Sequence, residues 1–378
     1  MVLEIKRATK DDIAMVAFLF NAYRMFYKQS SNLEAAFDFL EQRISKNESE
    51  IFIAVLKNDA VGFVQMYPVF SSVSLQPAWL LKGNPRHMTP YLRPRRSMLY
   101  VPGCAPRYLH KARTLKVDSL IFDLGDSVLV ENKESSRDQI VEAVLQGGFG
   151  RREKVVRVND LDSPWGIDDI KAVADIGADA ILFPNIESKS DVIEALSVLD
   201  KSGGSHLPIM VMIESPLAVL RAEEIASASD RIACMIMATS DLLTQLHGHK
   251  TPDRLALHYS LSHVLLVGRA YKRGVIDGIS VDIKDMHSFE LACRLTRDLG
   301  FDGKSLVHPN QLAYCNDAFT PKSAEIGHAH EVISALEKAH HEGRGTIMLN
   351  GRLVEHHHVN AAKRLLALVE MTKELEVA

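Results

Sequence analysis

The chain has 378 residues, with 44 basic and 48 acidic side chains and a net charge of -4, so neither nucleic acid nor an acidic membrane surface is an expected partner. Hydrophobic residues at 47% and charged residues at 24% exclude a disordered chain. The 4 cysteines form no CxxC pair, no apolar run is long enough for a bilayer and no cleavable signal pattern opens the chain, which excludes a disulfide scaffold, a zinc ribbon and a membrane helix and points to a reducing cytoplasm.

Residues 2–7 alternate like a strand. Asp11 and Asp12 stand where a helix N-terminus favours negative charge, and an apolar helical run follows. Residues 51–56 and 61–67 are β-rich runs joined by a short hairpin turn at Asn58 and Asp59, and another strand-like run begins in SSVSLQPAWLL. Residues 1–81 thus read as a small α+β unit. The segment 82–95, KGNPRHMTPYLRPR, holds three prolines, a glycine and several basic residues and reads as a linker.

A different rhythm begins at residue 97. Eight short apolar runs, at 97–102, 119–124, 154–159, 179–184, 208–215, 231–238, 275–282 and 304–309, are separated by helical stretches. Such alternation implies an α/β fold with a parallel sheet covered on both sides, and eight units imply a (β/α)8 TIM barrel over residues 96–320. A helical arm over 321–378, with helices at 323–341 and 359–376 around the polar turn NGRLVEHHH, completes the chain.

Function in such a barrel sits at the C-terminal strand ends. The polar residues there are Asp123, Asp126, Arg157, Asn159, Glu187, Glu214, Asp241, Asp282 and His308. Acids dominate, and hard oxygen ligands suit Mg2+. Glu214 closes the most apolar strand, where an unpaired carboxylate is not tolerated, so it is a metal or catalytic acid or an ion-paired structural one. Asp241 reads as its partner on the next strand or as an N-cap for LLTQL. Arg157, among valines, needs an anion: a substrate carboxylate or enolate, or an acid on a neighbouring strand. Asp282 is counted among the substrate contacts. The histidine clusters at 247–249 and 356–358 lack ligand spacing, and adjacent loop histidines cannot all face one ion. His308 is either a packed histidine of the barrel floor or a site residue.

The stretches RRSMLYVPGCAPRYLHKA, DSLIFDLGDSV, VVRVNDLDSPWG, DAILFPNIES, VMIESPLAVL and FDGKSLVHPNQL occur in this order. They resemble the citrate lyase beta subunit and the malyl-CoA and citramalyl-CoA lyases of the HpcH/HpaI aldolase superfamily. The resemblance implies a Mg2+-dependent carbon–carbon lyase that cleaves a 3-hydroxyacyl-CoA thioester to acetyl-CoA and a keto acid. It implies Glu214 and Asp241 as metal ligands and Arg157 as the group facing the substrate or enolate oxygen. Tyr100, Arg107 and Lys111 match positions that contact the CoA nucleotide. It also implies a homotrimer or hexamer in which Glu355, in GRLVEHH, reaches a neighbouring subunit's site as the base. Three positions depart from the common pattern: Gly125 replaces an acid, Asn185 replaces a lysine and Glu355 replaces an aspartate.

Residues 1–81 resemble the first half of a GNAT acetyltransferase. The phosphate-binding loop of that fold does not follow Leu81, so this half-domain is expected to be inactive in acetyl transfer. Two other readings of the barrel stay open. One is an aldolase on a free keto acid plus an aldehyde. The other is a catalytically reduced citrate lyase-like subunit within a complex.

Overall fold

A strand buried on both faces must be apolar throughout, and the barrel strands meet that condition. The computed structural model describes residues 4–26, 32–46, 48–56, 59–71, 76–83, 93–341 and 346–377. The chain divides into two units, Met1–Thr89 and Pro90–Ala378. Among the described residues no helix is long and apolar enough to cross a membrane.

In the first unit β1 (Glu4–Arg7), β2 (Glu50–Leu56), β3 (Asp59–Ser71) and β4 (Gln76–Gly83) form an antiparallel sheet in that order. Helices Ile13–Phe26 and Leu33–Ser45 lie between β1 and β2 in sequence. The core joins Val16, Phe20 and Leu40 to Ile51, Ile53 and Phe63. Leu56 pairs with Asp59, so Asp59, expected at the turn, is the first residue of β3. Asn58 lies outside the described residues.

The second unit holds β5 (Ser97–Pro102), β6 (Ser119–Asp123), β7 (Glu153–Arg157), β8 (Ala180–Phe183), β9 (Ile209–Ile213), β10 (Ile232–Met237), β11 (Gly274–Asp277) and β12 (Gly303–Leu306). All pair in parallel, and β12 closes on β5 through Lys304 opposite Ser97. Each expected strand run contains one of these strands. The seventh run is strand only at its start, because after Asp277 the chain leaves the sheet. The run SPLAVLRAEEIAS forms two short helices, Pro216–Leu220 and Ala222–Ser227, separated at Arg221.

Strand alternation divides the core in two. Met98, Ile121, Val155, Met210, Met212, Cys234 and Ile276 fill the bore. Leu99, Phe122, Val156, Phe183, Val211 and Met235 face the surrounding helices.

The end of the expected linker is part of the barrel. Arg95, 3% exposed, donates through Nε and Nη2 to both Glu153 oxygens at 2.7 Å each. Ser119 Oγ adds a third bond to Glu153 at 2.6 Å. Together they plug the N-terminal end of the bore. Burial raises the Glu153 carboxyl, but the Arg95 and Arg93 charges and these bonds outweigh it and hold the group at about 2.

The expected turn NGRLVEHHH is instead a hairpin and a helix start. Ile347–Leu349 (β13) pairs with Arg352–Val354 (β14) across Asn350 and Gly351, both in the left-handed region with φ 50° and 76°. The last helix, His356–Val377, begins on the histidines themselves. It is tied to residues that precede barrel strands: Glu376 to Arg96 at 3.0 Å, Arg364 to Asp302 at 3.1 Å, and Glu374 to Arg151. The arm is therefore anchored at the N-terminal end of the barrel, opposite the mouth.

Glu153→Gln is expected to destabilise the protein by about 3–5 kcal/mol at neutral pH, because it leaves Arg95 buried without its counter-charge. The Glu153 carboxyl is depressed in the fold, so its contribution is complete above the ordinary value of 4.5 and is lost as pH falls through about 2. Urea unfolding at pH 7 and pH 3 checks this: the gap between wild type and variant should shrink at the lower pH, and an equal gap would refute the assignment.

Candidate active site at the barrel mouth

The two-residue period that puts Met98, Ile121, Val155 and Met212 into the bore also turns Tyr100, Asp123, Arg157 and Glu214 inward at the C-terminal strand ends. Arg157 donates from Nε and Nη2 to the two oxygens of Asp123, at 2.6 and 2.9 Å, and from Nη1 to Asp126 Oδ2 at 3.0 Å. The bond to Asp123 is the neighbouring-strand ion pair that the sequence left open as one alternative. It holds the guanidinium 5.2 Å from the Tyr100 ring. Burial disfavours the Arg157 charge, but Asp123 outweighs this and keeps it protonated above the ordinary range. The Tyr100 phenol is pushed up by burial.

Gly125 has a steric reason. A Cβ there would lie 2.9 Å from the Arg157 Cζ and Nη2 atoms. Its amide also donates to Asp123 Oδ1 at 2.8 Å, and Ser127 Oγ donates to Asp123 Oδ2 at 2.5 Å. Behind this loop Lys133, 6% exposed, donates to the Leu124 and Gly125 carbonyls and to Asn159 Oδ1. Asn159 in turn donates to Asp169, which Arg137 neutralises at 2.7 Å. Lys133 and Asp169 were not legible as site residues, since both sit in helices with no motif to mark them.

Glu214 follows β9. Its Oε1 accepts from the Asn185 backbone amide at 2.6 Å. Burial raises the Glu214 carboxyl; the Asn185 amide opposes that, while the nearby Asp241 and Asp126 charges push the same way as burial. Asp241 is not an N-cap. It sits in the first turn of helix Thr239–Gln245, capped by Ala238, with its side chain exposed. The charges of Asp241, Arg157 and Asp126 thus all act on the Glu214 carboxyl. Carboxylates at one mouth whose like charges act on Glu214 suit a hard divalent cation, which would relieve their repulsion.

Beside the mouth a cavity of about 190 Å3 is lined by Tyr100, Tyr108, Lys111 and His308. Arg107 stacks over the Tyr108 ring at 4.7 Å and donates to its hydroxyl at 2.9 Å. Tyr108 was missed in the sequence because an exposed helical tyrosine carries no positional signal. His308 is exposed at the C-terminal end of β12, not packed in the floor, and its Nδ1 accepts from the Asn310 amide at 3.2 Å.

Asp282 and Glu355 lie elsewhere. Asp282 accepts from the Lys284 and Asp285 amides at 2.9 and 3.1 Å, which lower its carboxyl, and it lines a separate cavity of about 280 Å3 with Lys250 and Arg254. Arg254 forks onto Asp277, and Lys304, 1% exposed, donates to the same carboxylate at 2.5 Å. Glu355 makes local contacts: its amide donates to His358 Nδ1 at 3.1 Å, and its carboxylate lies 3.6 Å from His357 Nδ1. Donor atoms of Glu355, His357 and His358 fall within 4.8 Å of one another, so two of the three adjacent histidines converge. The helix start brings them together.

A model of the HpcH/HpaI aldolase/citrate lyase family matches residues 96–309. A (3S)-malyl-CoA thioesterase of Cereibacter sphaeroides is 40% identical over 277 residues, 73% of this chain and 95% of the relative. A citrate lyase subunit beta of Leuconostoc mesenteroides subsp. cremoris is 36% identical over 284 residues, 73% of this chain and 93% of the relative. Among solved structures, a citrate lyase beta subunit of M. tuberculosis complexed with oxaloacetate and magnesium superposes with a TM-score of 0.53 at 26% identity, covering 61% of this chain and 99% of that one.

Gly125→Ala is expected to push the Arg157 guanidinium off Asp123 and to cost about 1–3 kcal/mol, the usual range for overpacking. Urea unfolding measures the loss. Wild-type stability in this variant would show that the fork gives way freely and that Gly125 has no steric role.

Proposed function

We infer, because the chain belongs to the HpcH/HpaI aldolase/citrate lyase family, that it is an enzyme acting on a CoA thioester at the mouth of its barrel. The reaction proposed is carbon–carbon cleavage of a 3-hydroxyacyl-CoA of the malyl, citramalyl or citryl type to acetyl-CoA and a keto acid. The observation that carries it is an Arg157 held in place by Asp123 at the mouth where Glu214 feels the charges of Asp241 and Arg157.

Glu214 and Asp241 would hold Mg2+, as the oxygen donor set fits; the M. tuberculosis neighbour carries magnesium with oxaloacetate. Mg2+ there supplies Lewis-acid polarisation of the substrate's hydroxyl and carboxylate oxygens. A base then takes the hydroxyl proton, the carbon–carbon bond breaks and its electron pair moves onto the acetyl-CoA fragment. Arg157 keeps its charge through the Asp123 fork. Its contact with Asp126, a fully solvent-facing side chain, is the one that yields when Nη1 turns to the developing enolate oxygen. Tyr100, Lys111 and the Arg107–Tyr108 pair line the path for the CoA nucleotide, where cationic groups suit phosphates. That need for phosphate contacts favours a thioester over a free keto acid.

Glu355 is the proposed base, acting in the site of a neighbouring copy. Its helix is tied to the opposite end of its own barrel, at Arg96, Arg151 and Asp302. A trimer or hexamer supplies the neighbour. A second reading is hydrolysis of the thioester itself, and the malyl-CoA thioesterase at 40% identity favours it.

Incubation with malyl-CoA, citramalyl-CoA and citryl-CoA and Mg2+ tests these readings. Acetyl-CoA without free thiol supports the lyase, free CoA thiol supports hydrolysis, and neither product from any of the three overturns both. Glu214→Gln is expected to lower turnover about a hundredfold while the fold is kept, as loss of a group holding the metal does. Co-expressed Glu355→Gln and Arg157→Ala chains are expected to recover activity that neither has alone. Failure to recover in assembled mixtures would place the base within one chain.

A further inference from the structure

Glu214 needs more than its position after β9 to present an oxygen to a cation, because a carboxylate can rotate. The structure holds it from a neighbouring loop. β8 ends at Phe183, and Pro184 follows with no N–H to donate. Asn185 then takes φ 53°, in the left-handed region that side chains other than glycine and asparagine avoid. Ile186 returns to the core at 3% exposure. This turn aims the Asn185 amide at Glu214 Oε1, 2.6 Å away. The Asn185 side chain locks the turn by donating from Nδ2 to Asp160 Oδ2 at 2.5 Å, on the loop after β7. From the other side, Gln245 Nε2 donates to the Glu214 carbonyl at 3.3 Å. Gln245 belongs to the helix that carries Asp241.

We propose that Asn185 is a positioning residue that aims Glu214: its left-handed backbone fixes one carboxylate oxygen through a neutral amide and leaves the other, and the full negative charge, to a divalent cation. A backbone amide orients the carboxylate without neutralising it. A cationic side chain on the same oxygen would compete with the ion. The left-handed turn thus falls at the residue between two loops that must meet, where asparagine tolerates it. The inference rests on the reading of Glu214 as a metal ligand.

The test is titration calorimetry of the full chain with MgCl2, with circular dichroism on each variant. Glu214→Gln is the control and should lose binding; if it binds Mg2+ like wild type, the ligand reading fails, whatever Asn185 does. With that control passed, Asn185→Val, which cannot easily hold φ 53°, should weaken Mg2+ binding about tenfold. Asn185→Gly keeps both the amide and the turn and should stay within about threefold of wild type. Wild-type affinity in Asn185→Val overturns the proposal. Loss in Asn185→Gly as deep as in Asn185→Val overturns the backbone assignment and moves the effect to the Asp160 bond. If Asn185→Val does not fold, Asn185→Ala takes its place under the same criteria.

Discussion

A parallel barrel wall is apolar on both faces, so every charge placed in it must be paired. That constraint organises the second unit. At the N-terminal end Arg95 and Glu153 plug the bore. In the wall Asp277 serves two cations, Arg254 and Lys304. At the mouth Arg157 is matched by Asp123. The first two pairs close the structure. The third differs because its guanidinium also reaches Asp126, an exposed side chain that can leave. Of these three, it is the one in which the buried cation also holds an exposed partner that solvent or substrate can replace.

The mouth is built from three loops that meet over the bore, and each is tied to its neighbour. The loop after β6 is fixed by Lys133 through the Leu124 and Gly125 carbonyls. The loop after β7 is fixed by Asn159 and Asp169. Asn185, after β8, connects Asp160 to Glu214. Two of the three positions noted as departures, Gly125 and Asn185, thus have separate structural roles. Gly125 gives room to Arg157, and Asn185 makes a turn.

The arm explains why one chain is chemically incomplete in the proposed mechanism. Its long helix is held by ion pairs at the end of the barrel away from the mouth, and Glu355 heads that helix beside a small hairpin. The first eight residues of the helix, about 12 Å at the usual rise, precede the tie of Arg364 to Asp302. The length of the chain is accounted for in the same way. One unit makes the barrel and its arm, and the other is a four-stranded sheet with its own core.

Strand number and the closed parallel order of the barrel were legible in the sequence, because eight apolar runs alternating with helical stretches leave little choice of topology. Arg157, Asp123 and Glu214 were marked by their place at the C-terminal ends of apolar runs. What the sequence did not carry were contacts between loops distant along the chain. The Asn185 amide on Glu214, the Gly125 space under Arg157 and the Lys133 anchor each depend on backbone direction, which residue type does not report. The linker and the histidine turn were misread for a related reason. Arginines at 93 and 95 look like solvated linker charge until Glu153 and Asp179 are brought beside them, and adjacent histidines diverge on a loop but converge at a helix start. Periodicity is a local property and determined the fold; the pairing of charges across loops is a property of the closed barrel and was decided only there.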